Sequence, residues 1–164
     1  MRIALCGKIC AGKTHVAKLL ANKYNLEIFS FAAKIKEIAK DLFSMKTKDR
    51  KLLQQIGDKM REIDENIWIK FLIKQIKRKN NIIIDDLRLQ NELDVLKKNG
   101  FTIIRLNIDL DTQLTGLRDI YPETYKLHQT RFTHRLETSV NNLTVDYDIL
   151  SDDKTIENIE KLLV

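Results

Sequence analysis

The sequence has few cysteines, a single proline, five glycines and no long hydrophobic run. Its two cysteines, Cys6 and Cys10, are too few for a disulfide framework, and no His/Cys grouping has zinc-ligand spacing. No apolar stretch approaches the roughly 20 residues that a membrane-spanning helix needs. The first residues lack the cleavage site of a signal peptide. We therefore expect a cytoplasmic protein with reduced thiols and no membrane partner.

Acidic residues are fewer than basic ones, which leaves a formal net charge of +6 over 164 residues. A basic surplus suits either nucleic acid or a pocket that holds several phosphates. The basic residues are scattered, and none of their stretches is interleaved with aromatic residues as in proteins that bind single strands. We expect no nucleic-acid partner and, at this length, a single domain over residues 1–164.

A glycine-rich motif lies at Gly7–Thr14, which reads G-x-x-x-x-G-K-T. It follows a short apolar run at Met1–Cys6 and precedes an amphipathic run, and strand, loop and helix in this order are the context of a P-loop. Such a loop points its backbone N–H groups at phosphates, with Lys13 reaching the β- and γ-phosphates and Thr14 completing a Mg²⁺ shell. The alternative is a solvated Gly/Lys turn. The residues that we expect to bind ATP here are Gly7, Lys8, Ala11, Gly12, Lys13, Thr14 and His15.

Hydrophobic patterning predicts five strands that alternate with amphipathic helices. The strands are predicted at residues 1–6, 26–31, 82–86, 101–109 and 145–150. This alternation around a P-loop predicts a three-layer α/β domain of the P-loop kinase type, with a parallel five-stranded sheet and helices on both faces. Ligands in such sheets bind beyond the carboxyl ends of the strands, so the site residues should meet at that edge.

The stretch of residues 111–133 has weak periodicity and contains the single proline, Pro122. It is either a mobile lid or a helical hairpin. Its arginines Arg118 and Arg131, with Arg135 just beyond, form a cationic cluster. In phosphoryl transfer, charge spreads over the γ-oxygens, and an arginine delivered by a mobile segment accelerates the reaction. We expect at least one of these arginines to be functional, and their spacing does not identify which.

Two acids, Asp85 and Asp86, end the apolar run at residues 82–84. P-loop enzymes place at such a strand end the carboxylate that holds Mg²⁺ or its waters. The alternative is that one acid caps the following helix, and with two acids both roles can be filled. We assign the metal role to Thr14 and Asp86. Arg88 follows at the same edge, where its guanidinium is placed to grip a phosphate, unless it is an exposed arginine at a helix start.

Several motifs along nearly the whole chain follow the order of a known family. They are the P-loop, Leu53–Arg61, Trp68, the D-x-R-x-x-N-E box from Asp86 to Glu92, and His134-x-x-Glu137. With these motifs the chain resembles the deoxynucleoside monophosphate kinases of large phages and DNA viruses. The resemblance implies transfer of the γ-phosphoryl group of ATP to a deoxynucleoside 5′-monophosphate, with Mg²⁺ as cofactor, giving ADP and the diphosphate. It implies a role in nucleotide biosynthesis, in the host cytoplasm if the protein is viral. A homodimer is one option for its assembly.

The resemblance also implies roles for particular residues. Arg61 and Arg88 would grip the acceptor monophosphate, Lys36 would lie beside its pocket, and the acceptor-binding helices would span about residues 32–80. The loop near Asp152 would meet the adenine of ATP, and a lid at residues 111–133 would bring Arg118 to the nucleotide. The residues expected to bind substrate are Lys36, Arg61, Trp68, Asp86, Arg88 and Glu92. Those expected to be catalytic are Lys13, Arg88 and Arg131.

The residue inventory agrees with this reaction, because a phosphate oxygen is already anionic and needs no general base. The first alternative is another small-molecule P-loop kinase, of the dephospho-coenzyme A or phosphomevalonate type. A hydroxyl acceptor favours a carboxylate base, and Asp85 or Asp86 is placed for that role. The second alternative is a nucleic-acid-end kinase or a P-loop binding module without turnover.

Overall fold

The computed structural model describes residues 1–130 and 138–163. Within this part, five β-strands alternate with α-helices. The strands are β1 (Arg2–Gly7), β2 (Glu27–Phe29), β3 (Ile82–Leu87), β4 (Thr102–Asn107) and β5 (Tyr147–Leu150). The helices are α1 (Lys13–Tyr24), α2 (Ala33–Phe43), α3 (Arg50–Ile63), α4 (Ile67–Ile76), α5 (Gln90–Lys98), α6 (Leu110–Ile120), α7 (Tyr125–Gln129) and α8 (Thr155–Leu163). None of these helices is long and apolar enough to cross a membrane.

The five strands form one parallel sheet in the order β2-β3-β1-β4-β5. The strand that leads into the glycine-rich loop is therefore the central one, with β3 and β4 on either side. The predicted parallel five-stranded sheet is confirmed. The observed β2, β4 and β5 are shorter than predicted, because apolar residues such as Leu26 and Phe101 at their ends continue the core beyond the strand hydrogen bonds.

Helices cover both faces of the sheet because the side chains of β1 alternate between two cores. Ala4 and Cys6 pack into a core shared with α2, α3, α4 and α5. Ile3 and Leu5 pack into a second core shared with α1 and α8. A strand that is buried on both faces reads as a continuous apolar run, and β1 does so. The three-layer α/β architecture of a P-loop kinase is confirmed.

The register between β1 and β3 changes close to the carboxyl edge. From Ala4 to Cys6 β1 advances by two residues, whereas their partners on β3, Ile84 and Leu87, are three residues apart. This is a β-bulge, and its extra residue lies in the Asp85–Asp86 pair. A bulge re-aims the side chains around it and often occurs beside a functional site. Its effect here falls on Leu87, which packs into the same core as Ile82 and Ile84, whereas Asp85 and Asp86 continue the alternation of the strand.

The predicted lid segment contains two helices, α6 and α7, which contact each other. The described part of the segment therefore has the form of a helical hairpin, which was the alternative to a mobile lid. Arg131, Arg135 and the His134/Glu137 pair lie outside the described residues, so their expected roles stay predictions.

Candidate active site

The glycine-rich loop has the backbone conformation that its sequence predicts. Gly7 has a φ of 140°, and a Cβ at this position would lie 2.4 Å from the carbonyl oxygen of Leu106 on β4. Gly12, just before α1, has a φ of 74°, in the left-handed region that glycine adopts without strain. Only glycine fits at Gly7, because the loop starts in direct contact with the neighbouring strand.

The Lys13 side chain folds back into the curl of the loop. Its ammonium group donates hydrogen bonds to the carbonyl oxygens of Gly7 at 2.7 Å and Lys8 at 2.6 Å. The residue is only 9% exposed. Its positive charge is thus held at the first turn of α1, where the helix N-terminus adds its own partial positive charge.

Two side chains from distant parts of the chain support the loop from outside. Gln113 of α6 is buried, and its amide donates to the carbonyl oxygen of Ile9 at 3.1 Å. The Ser151 hydroxyl, just after β5, donates to the carbonyl oxygen of Ala11 at 3.1 Å. Sequence analysis missed Gln113 because a lone glutamine on an amphipathic helix has no signal of its own.

A cavity of about 450 Å³ extends from the loop across the carboxyl edge of the sheet to α2 and α3. It contains the predicted edge site, because residues from the loop, from the end of β3 and from both helices line it. Its basic lining residues, besides His15, are Lys13, Lys36, Lys48, Arg50, Arg61 and Arg88. Its acidic lining residues are Asp85, Asp86 and Glu92. The apolar part of its wall includes Phe31, Ile35, Leu53 and Ile120.

The two acids of β3 have different hydrogen-bond partners, and these favour Asp85 over the predicted Asp86 as the residue beside Thr14 that could hold a metal ion. The Asp86 carboxylate accepts hydrogen bonds from the Ser30 hydroxyl at 2.6 Å and from the backbone N–H groups of Phe31 at 2.8 Å and Ala32 at 2.9 Å. It anchors the turn between β2 and α2. Asp85 instead accepts from the Thr14 hydroxyl at 2.9 Å. By strand alternation Asp85 lies on the face of Ile83, toward α1, and Asp86 lies on the opposite face with Ile82 and Ile84.

Thr14 and Asp85 fit a Mg²⁺ ion by their chemistry. Mg²⁺ takes oxygen ligands, and in phosphate-transfer sites it uses one or two protein ligands with the remainder from water and substrate phosphates. Burial raises the pKa of Asp85, and the nearby charge of Asp86 raises it further, against the Thr14 hydrogen bond. A cation at this position would stabilise the ionised form of Asp85.

Glu92, on the first turn of α5, is a buried carboxyl at 3% exposure. It accepts hydrogen bonds from the backbone N–H groups of Arg88 and Leu89, both at 3.0 Å, and lies 3.7 Å from the Arg61 guanidinium. Burial raises its pKa to about 7, with the charge of Asp86 adding to the rise and the hydrogen bonds and Arg61 opposing it. Glu92 therefore fixes the backbone at Arg88 and orients Arg61 at the same time.

Trp68, which we expect to contact substrate, is buried and does not line the cavity in this structure. It is 3% exposed and belongs to the core under α3, where its indole N–H donates to the carbonyl oxygen of Gly57 at 3.1 Å. A Cβ on Gly57 would lie 3.2 Å from the Arg61 guanidinium and 3.3 Å from Ile35. Trp68 thus holds the helix turn over which Arg61 reaches the cavity.

Several residues expected to bind ATP are outside the cavity lining. Gly7 and Ala11 shape the loop from beneath, and Lys8 lies beside β4. Arg118 is exposed on α6, with its guanidinium 5.7 Å from the centre of the Tyr125 ring. Asp152 accepts a hydrogen bond from the Lys154 N–H at 2.9 Å at the start of α8.

Three cavity residues were missed by sequence analysis. Lys48 lies in the non-helical link between α2 and α3, Arg50 begins α3, and Tyr121 follows α6. Arg50 donates to the Tyr121 hydroxyl at 2.8 Å and lies 5.2 Å from the centre of its ring. A polar break with alternating lysines reads as a solvated loop, so Lys48 carried no signal that separated it from Lys46.

Comparison with known proteins places this chain in a family. Residues 3–119, which hold the glycine-rich loop, β3 and most of α6, match the model of a family described as AAA domain. The chain belongs to the AAA domain family. No curated protein matches it by sequence.

The solved structures similar to this AAA domain chain include two kinds of kinase. Shikimate kinase from Bacteroides thetaiotaomicron has a TM-score of 0.61 at 16% identity, covering 99% of this chain and 98% of its own. A gluconokinase from Sinorhizobium meliloti has a TM-score of 0.58 at 13% identity, covering 95% of this chain and 87% of its own. At these identities the likeness shows the fold, which is that of a P-loop kinase.

Proposed function

We propose that the protein is an ATP-dependent deoxynucleoside monophosphate kinase. It transfers the γ-phosphoryl group of ATP to a deoxynucleoside 5′-monophosphate and releases ADP and the diphosphate. The observation that carries the proposal is a single cavity that joins the glycine-rich loop to a group of basic side chains from α2, α3 and the end of β3. One end suits a phosphate donor and the other a phosphate-bearing acceptor.

The donor half consists of the loop, Lys13 and the pair Thr14–Asp85. The loop N–H groups and the Lys13 ammonium bind the β- and γ-phosphates of ATP. Thr14 and Asp85 hold Mg²⁺, which neutralises charge on these phosphates. The proposal also places Arg118 and Asp152 at the ATP, and Arg131 as a catalytic arginine, from the resemblance alone.

The acceptor half consists of Arg61, Arg88 and Lys36. The two guanidinium groups suit bidentate contacts with a phosphate. Glu92 fixes the backbone of Arg88 by a hydrogen bond and lies 3.7 Å from the Arg61 guanidinium. The apolar wall at Phe31 and Ile35 offers a surface for the nucleoside. These residues fall within the region of about residues 32–80 and the box after β3 that the resemblance assigns to the acceptor.

The reaction needs positioning and charge more than proton transfer. An oxygen of the acceptor phosphate forms a bond to the γ-phosphorus of ATP while the bond to the β–γ bridging oxygen breaks, and ADP leaves with that electron pair. Lys13 and the arginines stabilise the charge on the transferring group, and no side chain has to remove a proton. Arg61 and Arg88 hold the attacking oxygen in line.

The test is an ADP-release assay with ATP and Mg²⁺ across a panel of acceptors. The panel holds the four deoxynucleoside monophosphates, their ribose counterparts, dephospho-coenzyme A, shikimate and gluconate, with a reaction lacking acceptor as the control for ATP hydrolysis. We expect ADP release with at least one deoxynucleoside monophosphate well above the control. ADP release with only a non-nucleotide acceptor overturns the proposal.

A second candidate, another small-molecule kinase, is favoured by one observation. Asp85 has a raised pKa at the end of the cavity next to the loop, where a carboxylate can accept a proton from an acceptor hydroxyl. In that reading Asp85 is a general base and not a metal ligand. The same acceptor panel separates the two readings, because a hydroxyl acceptor replaces the phosphate acceptor.

A further inference from the structure

Four basic side chains reach one end of the cavity from four different parts of the chain. Lys36 comes from α2, Lys48 from the link between α2 and α3, Arg50 from the start of α3, and Arg88 from the end of β3. Of these, sequence motifs identified Lys36 and Arg88. Lys48 and Arg50 therefore have no role in the acceptor half as described so far.

These cations lie close enough to raise one another's electrostatic energy. The pKa of Lys48 falls to about 8, first because its ammonium group is partly removed from water, and then because of the charges of Arg50, Lys36 and Arg88. The carboxylate of Asp85 opposes this fall but is the smallest of these influences. Like charges held together in this way are costly unless an anion lies between them.

The acids of the cavity already have other partners. Asp86 accepts hydrogen bonds from the turn at residues 30–32. Glu92 accepts one from the backbone N–H of Arg88, and Asp85 accepts one from the Thr14 hydroxyl. Among the described residues, the ammonium groups of Lys36 and Lys48 form no ion pair with a carboxylate. Within the described part of the chain, Lys36 and Lys48 are therefore cavity cations without a carboxylate partner.

Arg50 is held in place from the other side of the cavity. Its Nη2 donates to the Tyr121 hydroxyl at 2.8 Å, and its guanidinium lies over the Tyr121 ring, 5.2 Å from the ring centre. The arginine is therefore fixed before any ligand arrives, which lowers the entropic cost of binding.

We propose that Lys48 and Arg50 bind a phosphate dianion together with Lys36 and Arg88, so that this end of the cavity selects acceptors that already carry a phosphate group. This inference rests on the proposed function for the identity of the acceptor, whereas the anion site itself does not. When a dianion binds, Lys48 becomes fully protonated by taking a proton from solvent onto its Nζ atom.

The experiment is calorimetric titration of the full chain, saturated with a non-hydrolysable ATP analogue to fill the glycine-rich loop. The probes are inorganic phosphate, a deoxynucleoside monophosphate and the matching deoxynucleoside without phosphate. At pH 8, buffers of different ionisation enthalpy report whether protons are taken up when phosphate binds, because an anion beside Lys48 raises its lowered pKa. Lys48→Met should lower the affinity for inorganic phosphate and for the deoxynucleoside monophosphate about tenfold, and it should leave the affinity for the deoxynucleoside unchanged.

Two further variants make the result specific to Lys48. Lys46 and Lys48 are both exposed lysines of this link, but only Lys48 lines the cavity. Lys46→Met should therefore leave the affinity for every probe unchanged. Lys48→Arg keeps the charge but does not titrate near pH 8, so it should retain phosphate affinity and lose the proton uptake. Equal affinities in Lys48→Met and Lys46→Met, or unchanged proton uptake in Lys48→Arg, overturn the inference.

Turnover separates this inference from the proposed function. If the protein phosphorylates a deoxynucleoside monophosphate and Lys48→Met leaves its KM unchanged, the function stands and the inference is wrong. If the protein phosphorylates no nucleotide but inorganic phosphate binds in a Lys48-dependent way, the anion site stands and the function is wrong.

Discussion

The Thr14 hydroxyl donates a 2.9 Å hydrogen bond to Asp85, across the gap between the first turn of α1 and the end of β3. This contact joins the two sequence motifs of the donor half into one oxygen-rich site. It exists because Asp85 lies on the face of β3 that packs against α1, whereas Asp86 lies on the opposite face, toward the turn before α2. Substitution of Asp85 should therefore lower activity, whereas substitution of Asp86 should mainly lower stability.

Asp85→Asn should lower kcat about 100-fold and raise the Mg²⁺ concentration needed for half-maximal activity. The amide keeps the size of the side chain and its hydrogen bond to Thr14, but it removes the negative charge that favours a cation. The measurement is initial rate against Mg²⁺ concentration, alongside thermal unfolding. An unchanged Mg²⁺ requirement would show that Asp85 is not the metal ligand.

Asp86→Asn should mainly reduce stability, by about 1–3 kcal/mol in urea unfolding. Both carboxylate oxygens accept from N–H or O–H groups of residues 30–32, and an amide nitrogen cannot accept from them. Asp85→Asn is the matched control and should unfold near the wild-type midpoint. A variant as stable as wild type would contradict the structural role of Asp86.

Sequence analysis predicted the sheet and the loop because both depend on local pattern. The apolar run of β1 predicts a buried strand, and the glycines at positions 7 and 12 predict the tight turns of the loop. The choice between Asp85 and Asp86 was beyond it, because β3 is apolar on both faces and its sequence does not show which face packs against α1. Lys48 and Arg50 were missed for a related reason, because tertiary packing and not spacing brings them to the cavity.

Lys13→Ala should reduce kcat at least about 100-fold, because the loop loses the ammonium group aimed at the transferring phosphoryl. Lys18→Ala, an exposed lysine on the same helix, is the matched control and should keep full activity. The measurement is ADP release at saturating acceptor. Near-normal turnover in Lys13→Ala would argue against phosphoryl transfer at this loop.

Gly7→Ala should destabilise the protein by about 3 kcal/mol or more, because its Cβ would meet the Leu106 carbonyl oxygen at 2.4 Å and its φ is 140°. Gly100→Ala is the control that measures the cost of a positive φ alone, without a steric clash. Its φ is 74° and no atom lies within 4 Å of the added Cβ, so it should cost only about 1 kcal/mol. Urea unfolding of both variants checks the difference, and equal losses would contradict the close contact with β4.

Glu92 should make the free energy of unfolding fall between about pH 5 and pH 8. Its pKa is about 7 in the folded protein, above the value of 4.5 for an unburied glutamate, so the folded state binds more protons in this range. Each pH unit in which only the folded carboxyl is protonated is worth up to about 1.4 kcal/mol, or about 3 kcal/mol in total. The stabilisation is complete below the lower pKa and is lost as the pH rises through 7.

Glu92→Gln removes this titration, because the amide stays neutral and its oxygen still accepts from the backbone at Arg88 and Leu89. The difference in unfolding free energy between pH 5 and pH 8 should therefore shrink by about 3 kcal/mol in this variant. Glu65→Gln, at an exposed position, is the control and should follow wild type. If Glu92→Gln keeps the wild-type pH dependence, then Glu92 is ionised throughout, and its link to Arg61 is a permanent ion pair.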